Sequence, residues 1–342
     1  MADLKDWKSL SKPDPEWEQW VQSIGGQAPD IGLFPDISSL RKWILDSKSA
    51  MSAQMGGKPP GVQETDHQVP MRDGATITCR TYQPEQASNN TSALAVVFHG
   101  GGWCIGGLQN EELLCRLLTT KLGMVCVNVD YRLAPEDKFP TAVNDCYDAT
   151  KWAASQATSL KANPTSGFIL SGTSAGGNMA AVLSHLFRDE KNTLPSPITG
   201  THLMIPALCH HTHVPAKYRA DYKSWEQNAD AAILSQKACS LFMGNYLRSD
   251  ADTASPLFSP FLFESGRKGL PPTYLQVCGA DPLRDEALIF ERVLREDEGV
   301  ETKVDVYPGL PHGFWSVAPG LKASERFVGD SVKGVEWLLQ RK

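Results

Sequence analysis

The sequence predicts an α/β fold with a mostly parallel, doubly wound sheet of eight strands. From about residue 75 onward, short apolar runs alternate with segments of helical apolar spacing. Such alternation is typical of parallel strands joined by right-handed helical crossovers. The runs between residues 93 and 307 are nearly continuous in Val, Leu and Ile, as strands buried on both faces are. A turn signal, Arg72-Asp73-Gly74, predicts that the sheet begins with an antiparallel hairpin.

The elements follow in chain order. The predicted strands are Val62–Met71, Thr76–Thr81, Ala93–Phe98, Met124–Val129, Gly167–Ser171, His202–Ile205, Thr273–Val277 and Lys303–Tyr307. The predicted helices are Glu111–Leu122, Pro140–Leu160, Gly177–Glu190, Asp285–Glu298 and Ala323–Lys342. In the first of these helices the leucines recur three or four residues apart, which predicts a helix packed on a sheet.

Two regions interrupt this alternation. Residues 1–55 carry helical pieces with many aromatic side chains, and residues 209–250 form a helical insertion between two sheet strands. We expect both to fold together as a helical cap, because so many aromatic residues need a surface to cover. Surface decoration is the alternative. The predicted organisation is a cap segment (1–55), a first core part (56–208), a cap insertion (209–250) and a second core part (251–342).

Composition excludes several classes of protein. The 342 residues carry a net charge of −6, which argues against a nucleic-acid-binding surface. No stretch approaches the roughly 20 apolar residues of a membrane-spanning helix, and the acidic N-terminus does not resemble a secretory signal. The eight cysteines include no C-x-x-C pair. We interpret them as reduced thiols, which predicts a cytoplasmic protein.

Ser174 is the most informative residue. It lies in Gly172-Thr173-Ser174-Ala175-Gly176, after the apolar run Phe168–Leu170 and before a predicted helix. A serine on such a sharp strand-to-helix turn is exposed as a nucleophile, and the flanking glycines avoid Cβ clashes in the turn. The motif predicts an acyl-transfer enzyme. Such a serine needs a general base, an acid that orients the base, and donors for the oxyanion.

In this sheet architecture the acid and the base follow the serine in the order Asp or Glu, then His. Asp281 follows the predicted strand Thr273–Val277 and is the acid candidate. Asp285 and Glu286 are rivals, but a carboxylate in the first turn of a helix also serves the helix dipole. His312 is the base candidate, since it lies in a Gly- and Pro-rich loop after the last strand and no histidine follows it.

The oxyanion donors are expected to be backbone N–H groups. The segment His99-Gly100-Gly101-Gly102-Trp103 follows a strand, and glycines let a backbone approach a substrate closely. A glycine-rich turn without a ligand is the alternative. Ala175, directly after the nucleophile, would supply a further N–H.

These segments together resemble the hormone-sensitive-lipase-like family of α/β-hydrolases, also called bacterial family IV esterases. The resemblance covers roughly residues 60–340. Its motifs here are His99-Gly100-Gly101-Gly102-Trp103, Asp130-Tyr131-Arg132-Leu133-Ala134-Pro135-Glu136, Gly172-Thr173-Ser174-Ala175-Gly176-Gly177, Asp281-Pro282-Leu283-Arg284-Asp285-Glu286 and Pro311-His312-Gly313-Phe314.

The resemblance implies a triad of Ser174, Asp281 and His312 and an oxyanion hole of Gly101, Gly102 and Ala175. It also implies that His99 holds the glycine loop, that Asp130-Tyr131-Arg132 braces the site, and that an N-terminal segment and an insertion form the cap. Thr173 stands where many relatives have Asp, which leaves the role of that Asp unfilled. Relatives often dimerise through the last strand and helix, which makes Lys303–Tyr307 and Ala323–Lys342 the candidate homodimer surface.

Other signals are weaker. Cys209-His210-His211-Thr212-His213 resembles a metal site, but we interpret it as a solvated stretch of the cap, because it has no carboxylate at ligand spacing. Arg284-Asp285-Glu286 is interpreted as a solvated helix face. Trp103, Phe314 and Trp315 flank the candidate reactive residues, where they could line an acyl or alcohol pocket or simply pack. Of these, we predict that Trp103 and Phe314 contact substrate.

The sequence therefore predicts a serine carboxylic-ester hydrolase that needs neither cofactor nor metal. By the resemblance, its substrate would be a short- to medium-chain acyl ester or an acetylated small metabolite. A lyase, cyclase or acyl transferase using the same site is the alternative. A small-molecule receptor fits less well, because receptors of this family lose a triad member.

Overall fold

The computed structural model describes residues 6–52, 60–86 and 91–341. Within these residues, eight strands form one sheet. The strands are β1 (Val62–Pro70), β2 (Thr76–Pro84), β3 (Leu94–Phe98), β4 (Val125–Asp130), β5 (Phe168–Thr173), β6 (Gly200–Met204), β7 (Thr273–Cys278) and β8 (Thr302–Tyr307). The helices are α1 (Pro15–Ser23), α2 (Ile37–Ser52), α3 (Glu112–Leu122), α4 (Thr141–Ser155), α5 (Ala175–Asp189), α6 (Ser224–Gln227), α7 (Gln236–Tyr246), α8 (Arg284–Arg292), α9 (Phe314–Val317) and α10 (Lys322–Leu339).

The strand order is β1-β2-β4-β3-β5-β6-β7-β8. The pairs β1–β2 and β2–β4 are antiparallel, and every later pair is parallel. This confirms the predicted α/β class and the antiparallel start of the sheet. From β3 the chain goes to β4 on one side, and from β4 it crosses back over β3 to β5 on the other side. The order therefore reverses between β3 and β5. Ligand sites of open α/β sheets form at such a reversal, outside the carboxyl ends of the strands.

Helices cover both faces of the sheet, as the apolar strands require. One face packs against α3 and α10, and the other against α4, α5 and α8. The central strands β3 and β5 are almost wholly buried, because they have a helical layer on each side.

The predicted helix Asp285–Glu298 differs from the observed one in its second half. Helix α8 ends at Arg292 and continues as a π-helical turn, Val293–Asp297. Such turns are rare and are not visible in the periodicity of a sequence. The other boundaries agree with the predicted ones to within a few residues, apart from the longer α4 prediction.

The N-terminal segment packs against the long connection between β6 and β7. Ile31 N donates to Ile233 O, Ile233 N donates to Pro29 O, and the Ser235 hydroxyl donates to the Asp30 carboxylate. Helix α2 contacts α7. The connection itself covers residues 205–272, and the boundaries proposed for the cap, at 55, 209 and 250, stay predictions.

Among the described residues, no helix is both long and apolar enough to cross a membrane. Strand β8 lies at the edge of the sheet. The homodimer surface on β8 and α10 stays a prediction.

Candidate active site

Ser174 lies on the sharp turn between β5 and α5. Its backbone has φ 55° and ψ −114°, which is a strained conformation for a residue with a side chain. The turn is held because Ser174 N donates to Met204 O of the neighbouring strand, at 2.8 Å. A Cβ on Gly176 would lie 2.0 Å from Phe98 O. Only glycine lets α5 begin so close to β3, and this explains the Gly in the motif.

The structure brings the three predicted triad residues together. His312 Nε2 lies 2.9 Å from Ser174 Oγ, and His312 Nδ1 lies 2.6 Å from Asp281 Oδ2. Since the carboxylate accepts the Nδ1 proton, Nε2 is free to accept the proton of the serine hydroxyl. The Asp281 and His312 side chains are buried, so water competes little for these hydrogen bonds.

Strand ends place these side chains. Asp281 follows β7 and His312 follows β8, and both strands run parallel to β5. Asp281 is fixed twice, because its Oδ1 accepts from Leu283 N at 2.9 Å and its backbone oxygen accepts from the Asn228 amide at 2.9 Å. One carboxylate oxygen is therefore left to orient His312.

The glycine loop follows β3 beside Ser174. Cys104 N and Ile105 N both donate to Gly101 O at 3.0 Å, which closes a tight turn. Gly102 has φ +55°, and a Cβ there would lie 2.3 Å from the Phe242 ring. The glycine is needed both for the left-handed conformation and for the close approach of α7.

Surrounding residues hold this loop rigid. His99 Nδ1 donates to Gly100 O at 2.8 Å, and the Tyr131 hydroxyl donates to His99 O at 2.8 Å, with the two rings stacked 4.0 Å apart. Arg41 of α2 donates to Cys104 O at 2.8 Å. The N-terminal segment thus contributes directly to the position of the glycine loop.

A cavity of about 220 Å³ opens beside the nucleophile. Its walls consist of the glycine loop, the turn at Ser174, the β6–β7 connection and α9. The side chains that line it include those of Trp103, Glu111, Ser174, Phe242, His312 and Trp315.

The two residues predicted to contact substrate fare differently. Trp103 lines the cavity and stacks on Tyr246 at 4.7 Å. Phe314 is fully buried beneath the site, where its ring packs against Tyr307 and Phe327. The prediction for Phe314 is wrong, because the turn at Gly313 directs it into the core. The adjacent Trp315 lines the cavity instead.

The histidine-rich segment is not a solvated stretch. His210 and His211 line the cavity, and the His211 ring stacks on Trp225 at 4.3 Å with only 9° between the planes. Burial lowers the pKa of His210 to about 4 and also lowers the pKa of His211. Both imidazoles are therefore neutral at neutral pH. The residues that the structure describes contain no group of three or more His, Cys, Asp or Glu placed to hold a metal ion.

The segment Arg284-Asp285-Glu286 is also buried, contrary to the solvated face predicted for it. Glu286 accepts from Leu208 N at 2.6 Å, and Asp285 accepts from Lys223 N and Ser224 N at 2.7 and 2.6 Å. The first turn of α8 therefore fixes two separate segments of the β6–β7 connection. Burial raises the pKa of the Glu286 carboxyl well above its usual value.

Arg284 completes this buried cluster. Its guanidinium donates to Asp285 at 2.7 Å and to Ser11 Oγ at 2.7 Å, and its side chain has no exposed surface. Removing one partner of a buried ion pair leaves the other charge uncompensated. We expect Arg284→Met to lower the free energy of unfolding by about 3–5 kcal/mol, as measured by denaturant titration.

Arg326→Met is the matched control. That arginine pairs with Asp330, but its side chain is 56% exposed, so its loss should cost less than about 1 kcal/mol. Equal losses of stability in the two variants would contradict the buried-pair argument.

Glu111 is a buried carboxylate that lines the cavity together with the glycine loop, and the sequence did not single it out. It lines the cavity and faces the Thr173 hydroxyl and Gly100 N–H. Burial raises the pKa of its carboxyl to about 7, against the lowering effect of these two donors. The Thr173 side chain next to Ser174 is uncharged, so Glu111 provides a titratable group at this turn.

The raised pKa of Glu111 predicts a pH dependence of stability. Between its ordinary value of 4.5 and about 7, the folded protein binds more protons at this carboxyl than the unfolded chain does. Stability should therefore fall as pH rises through this window. In Glu111→Gln this fall is removed. The free energy of unfolding of the variant should rise relative to the unmodified protein by on the order of 3 kcal/mol between pH 4.5 and pH 8.

The measurement is urea unfolding of both proteins at several pH values. Glu336→Gln, at an exposed position of α10, controls for the loss of one negative charge. A gap between Glu111→Gln and the unmodified protein that stays constant with pH would show that Glu111 does not titrate as proposed.

Several lining residues had no signal in the sequence. Tyr222, Trp225 and Phe242 reach the cavity only because the β6–β7 connection folds back over the sheet edge. Glu111 directly precedes a helix, where an acidic residue is ordinary for dipole reasons. In the segment Asp281–Glu286, the acidic residues after Asp281 could be recognised from the sequence, but their burial could not.

Known proteins are similar to this chain over most of its length. Residues 95–316 match a family model described as alpha/beta hydrolase fold. The chain is 37% identical over 332 residues to an AB hydrolase superfamily protein of Schizosaccharomyces pombe, covering 97% of this chain and 95% of that protein. It is 32% identical over 328 residues to a versiconal hemiacetal acetate esterase of Dothistroma septosporum, covering 95% and 94% of the two chains.

Among solved structures, a vibralactone cyclase is similar with a TM-score of 0.86 and 33% identity, covering 97% of this chain and 96% of that one. The family match and these identities over nearly the whole chain confirm the resemblance drawn from the motifs. The chain belongs to the alpha/beta-hydrolase fold family, among its hormone-sensitive-lipase-like, carboxylesterase-type enzymes.

Proposed function

We propose that the protein is a serine carboxylic-ester hydrolase that works through an acyl-enzyme. Its substrates would be short- to medium-chain acyl esters or an acetylated small metabolite. The observation that carries this proposal is the unbroken hydrogen-bonded chain from Ser174 Oγ through His312 to Asp281, at 2.9 and 2.6 Å. This is the arrangement that makes a serine hydroxyl nucleophilic at neutral pH.

In the proposed reaction, Ser174 Oγ attacks the ester carbonyl carbon and His312 Nε2 takes its proton. The N–H groups of Gly101, Gly102 and Ala175 stabilise the oxyanion, since such donors act strongest on charge that develops in the transition state. His312 then gives the proton to the leaving alcohol. A water molecule, deprotonated by His312, attacks the acyl-enzyme, and the acid is released as Ser174 regains its proton.

The size of the cavity supports the proposed substrate class. About 220 Å³, lined mainly by apolar side chains, holds a small acyl group and part of an alcohol rather than several long chains. The relative from Dothistroma is an acetate esterase by name, which supports an acetylated metabolite.

A non-hydrolytic reaction is the second candidate. A lyase, cyclase or acyl transferase would use the same nucleophile and oxyanion donors, and the similarity to a vibralactone cyclase favours keeping this alternative. A receptor is disfavoured, because the residues of a triad are all present and within hydrogen-bond distance.

Two assays test the proposal. A fluorophosphonate probe should label Ser174, whereas a receptor should not be labelled. Acetate and butyrate esters of p-nitrophenol, together with acetylated natural products, should then yield free acid and alcohol. If Ser174 is labelled but the products are cyclised or eliminated, the hydrolase assignment is wrong and the second candidate stands.

A further inference from the structure

Three polar atoms in the wall of the catalytic cavity have no hydrogen-bond partner among the described residues. One is Trp103 Nε1 of the glycine loop. The other two, the Tyr222 hydroxyl and His211 Nδ1, belong to the β6–β7 connection, and all three are inaccessible to solvent. A buried polar atom without a partner costs stability, and in a native structure it calls for an explanation such as a bound ligand.

The wall that carries the Tyr222 and His211 atoms is held rigidly. Glu286 accepts from Leu208 N, at the start of the segment that leads to His211. Asp285 accepts from Lys223 N and Ser224 N, which directly follow Tyr222. Both ends of the wall are therefore tied to α8, the helix that follows Asp281.

The same wall contains two aromatic rings stacked on each other, and the outer faces of this pair are flat. The imidazole of His211 and the indole of Trp225 lie nearly parallel, 4.3 Å apart, and both line the cavity. Aromatic rings pack against such faces in offset-stacked or edge-to-face arrangements. The imidazole is neutral, because burial lowers the pKa of His211, so this wall does not select a charged group.

We propose that His211, Tyr222 and Trp225 form a subsite for a planar ring that carries a hydroxyl or carbonyl oxygen. The ring packs against the flat wall, and its oxygen hydrogen-bonds to the Tyr222 hydroxyl and to His211 Nδ1. This inference deepens the proposed function, on which it rests, and defines the substrate class as small acyl esters of oxygenated aromatic alcohols.

The test compares naphthyl acetate with monoacetates of dihydroxynaphthalenes, which differ by one hydroxyl. Tyr222→Phe should lower kcat/KM for at least one hydroxylated ester by about 5- to 10-fold, as expected for the loss of one hydrogen bond. The value for naphthyl acetate should change by less than about twofold, because the remaining packing is kept. His211→Phe, which keeps the stacked ring and removes the nitrogen, should act in the same direction.

Trp225→Leu tests the flat wall separately. It should lower kcat/KM for naphthyl acetate by about 2- to 10-fold relative to cyclohexyl acetate, since ring stacking is lost and apolar burial is largely kept. Tyr218→Phe is the control, because that hydroxyl donates to Asp297 at 2.9 Å and its residue does not line the cavity. It should leave both ratios unchanged.

If Tyr222→Phe changes kcat/KM for all naphthyl esters by one common factor, the proposed subsite is wrong. The failure of ester hydrolysis itself is a different outcome, and it is separated by a binding measurement. In Ser174→Ala, quenching of tryptophan fluorescence by dihydroxynaphthalenes should show tighter binding than by naphthalene, and adding Tyr222→Phe should remove that preference. If the preference for dihydroxynaphthalenes over naphthalene is the same in Ser174→Ala with and without Tyr222→Phe, the inference is wrong even if the enzyme is an esterase.

Discussion

Ser174→Ala should reduce the turnover of p-nitrophenyl butyrate by about 10⁴- to 10⁶-fold, which is the largest effect expected for any single change in this chain. The Ser174 hydroxyl lies 2.9 Å from His312 Nε2 and is placed to attack a carbonyl carbon. Without it, the oxyanion donors and the cavity still bind the ester, but no acyl-enzyme forms. Turnover is measured through the release of p-nitrophenol, and the remaining rate is measured by single-turnover kinetics.

Ser171→Ala is the matched control. Ser171 lies on β5, three residues before Ser174, and its buried hydroxyl bonds to His202 rather than to the site, at 3.0 Å. Its loss should cost some stability and leave kcat nearly unchanged. A Ser174→Ala variant that is folded by circular dichroism yet retains substantial turnover would refute the nucleophile assignment.

Asp281→Asn should lower kcat by about 10⁴-fold while leaving KM nearly unchanged. Asp281 Oδ2 accepts the Nδ1 proton of His312 at 2.6 Å. An asparagine amide can present an N–H to Nδ1 instead, which moves the imidazole proton to Nε2. That nitrogen then faces Ser174 as a donor and cannot take the hydroxyl proton.

Asp285→Asn distinguishes orientation from general loss of negative charge. Asp285 follows four residues later, but its carboxylate accepts from Lys223 N and Ser224 N instead of contacting His312. We expect this variant to lose stability and to keep most of its kcat. Labelling by the fluorophosphonate should slow in parallel with kcat in Asp281→Asn. If Asp285→Asn reduced kcat as much as Asp281→Asn, the choice of Asp281 as the orienting acid would be wrong.

The meeting of Ser174, Asp281 and His312 could be predicted because each position is defined by local chain geometry. Gly176 is required by contact with β3, and Asp281 and His312 each follow a strand whose apolar composition is visible in the sequence. Parallel strands deliver their carboxyl ends to one edge of a sheet. Three residues at three strand ends are therefore brought together by the sheet itself, whatever covers it.

Residues of the cavity wall could not be predicted in this way. Phe314 and Trp315 are adjacent, and the sequence favoured Phe314, yet the turn at Gly313 sends Phe314 into the core and Trp315 to the cavity. The acidic residues of α8 were expected in water, because the sequence does not show that the β6–β7 connection covers them.

The sequence by itself determined the layered α/β sheet, the nucleophile turn and the order of serine, carboxylate and imidazole, since periodicity and strand ends are local properties. Only the tertiary structure decided the burial of Glu111 and Arg284 and the assembly of His211, Tyr222 and Trp225 into one wall. These depend on contacts between segments tens to hundreds of residues apart. Such contacts are set by the packing of whole elements, and no short stretch of sequence encodes them.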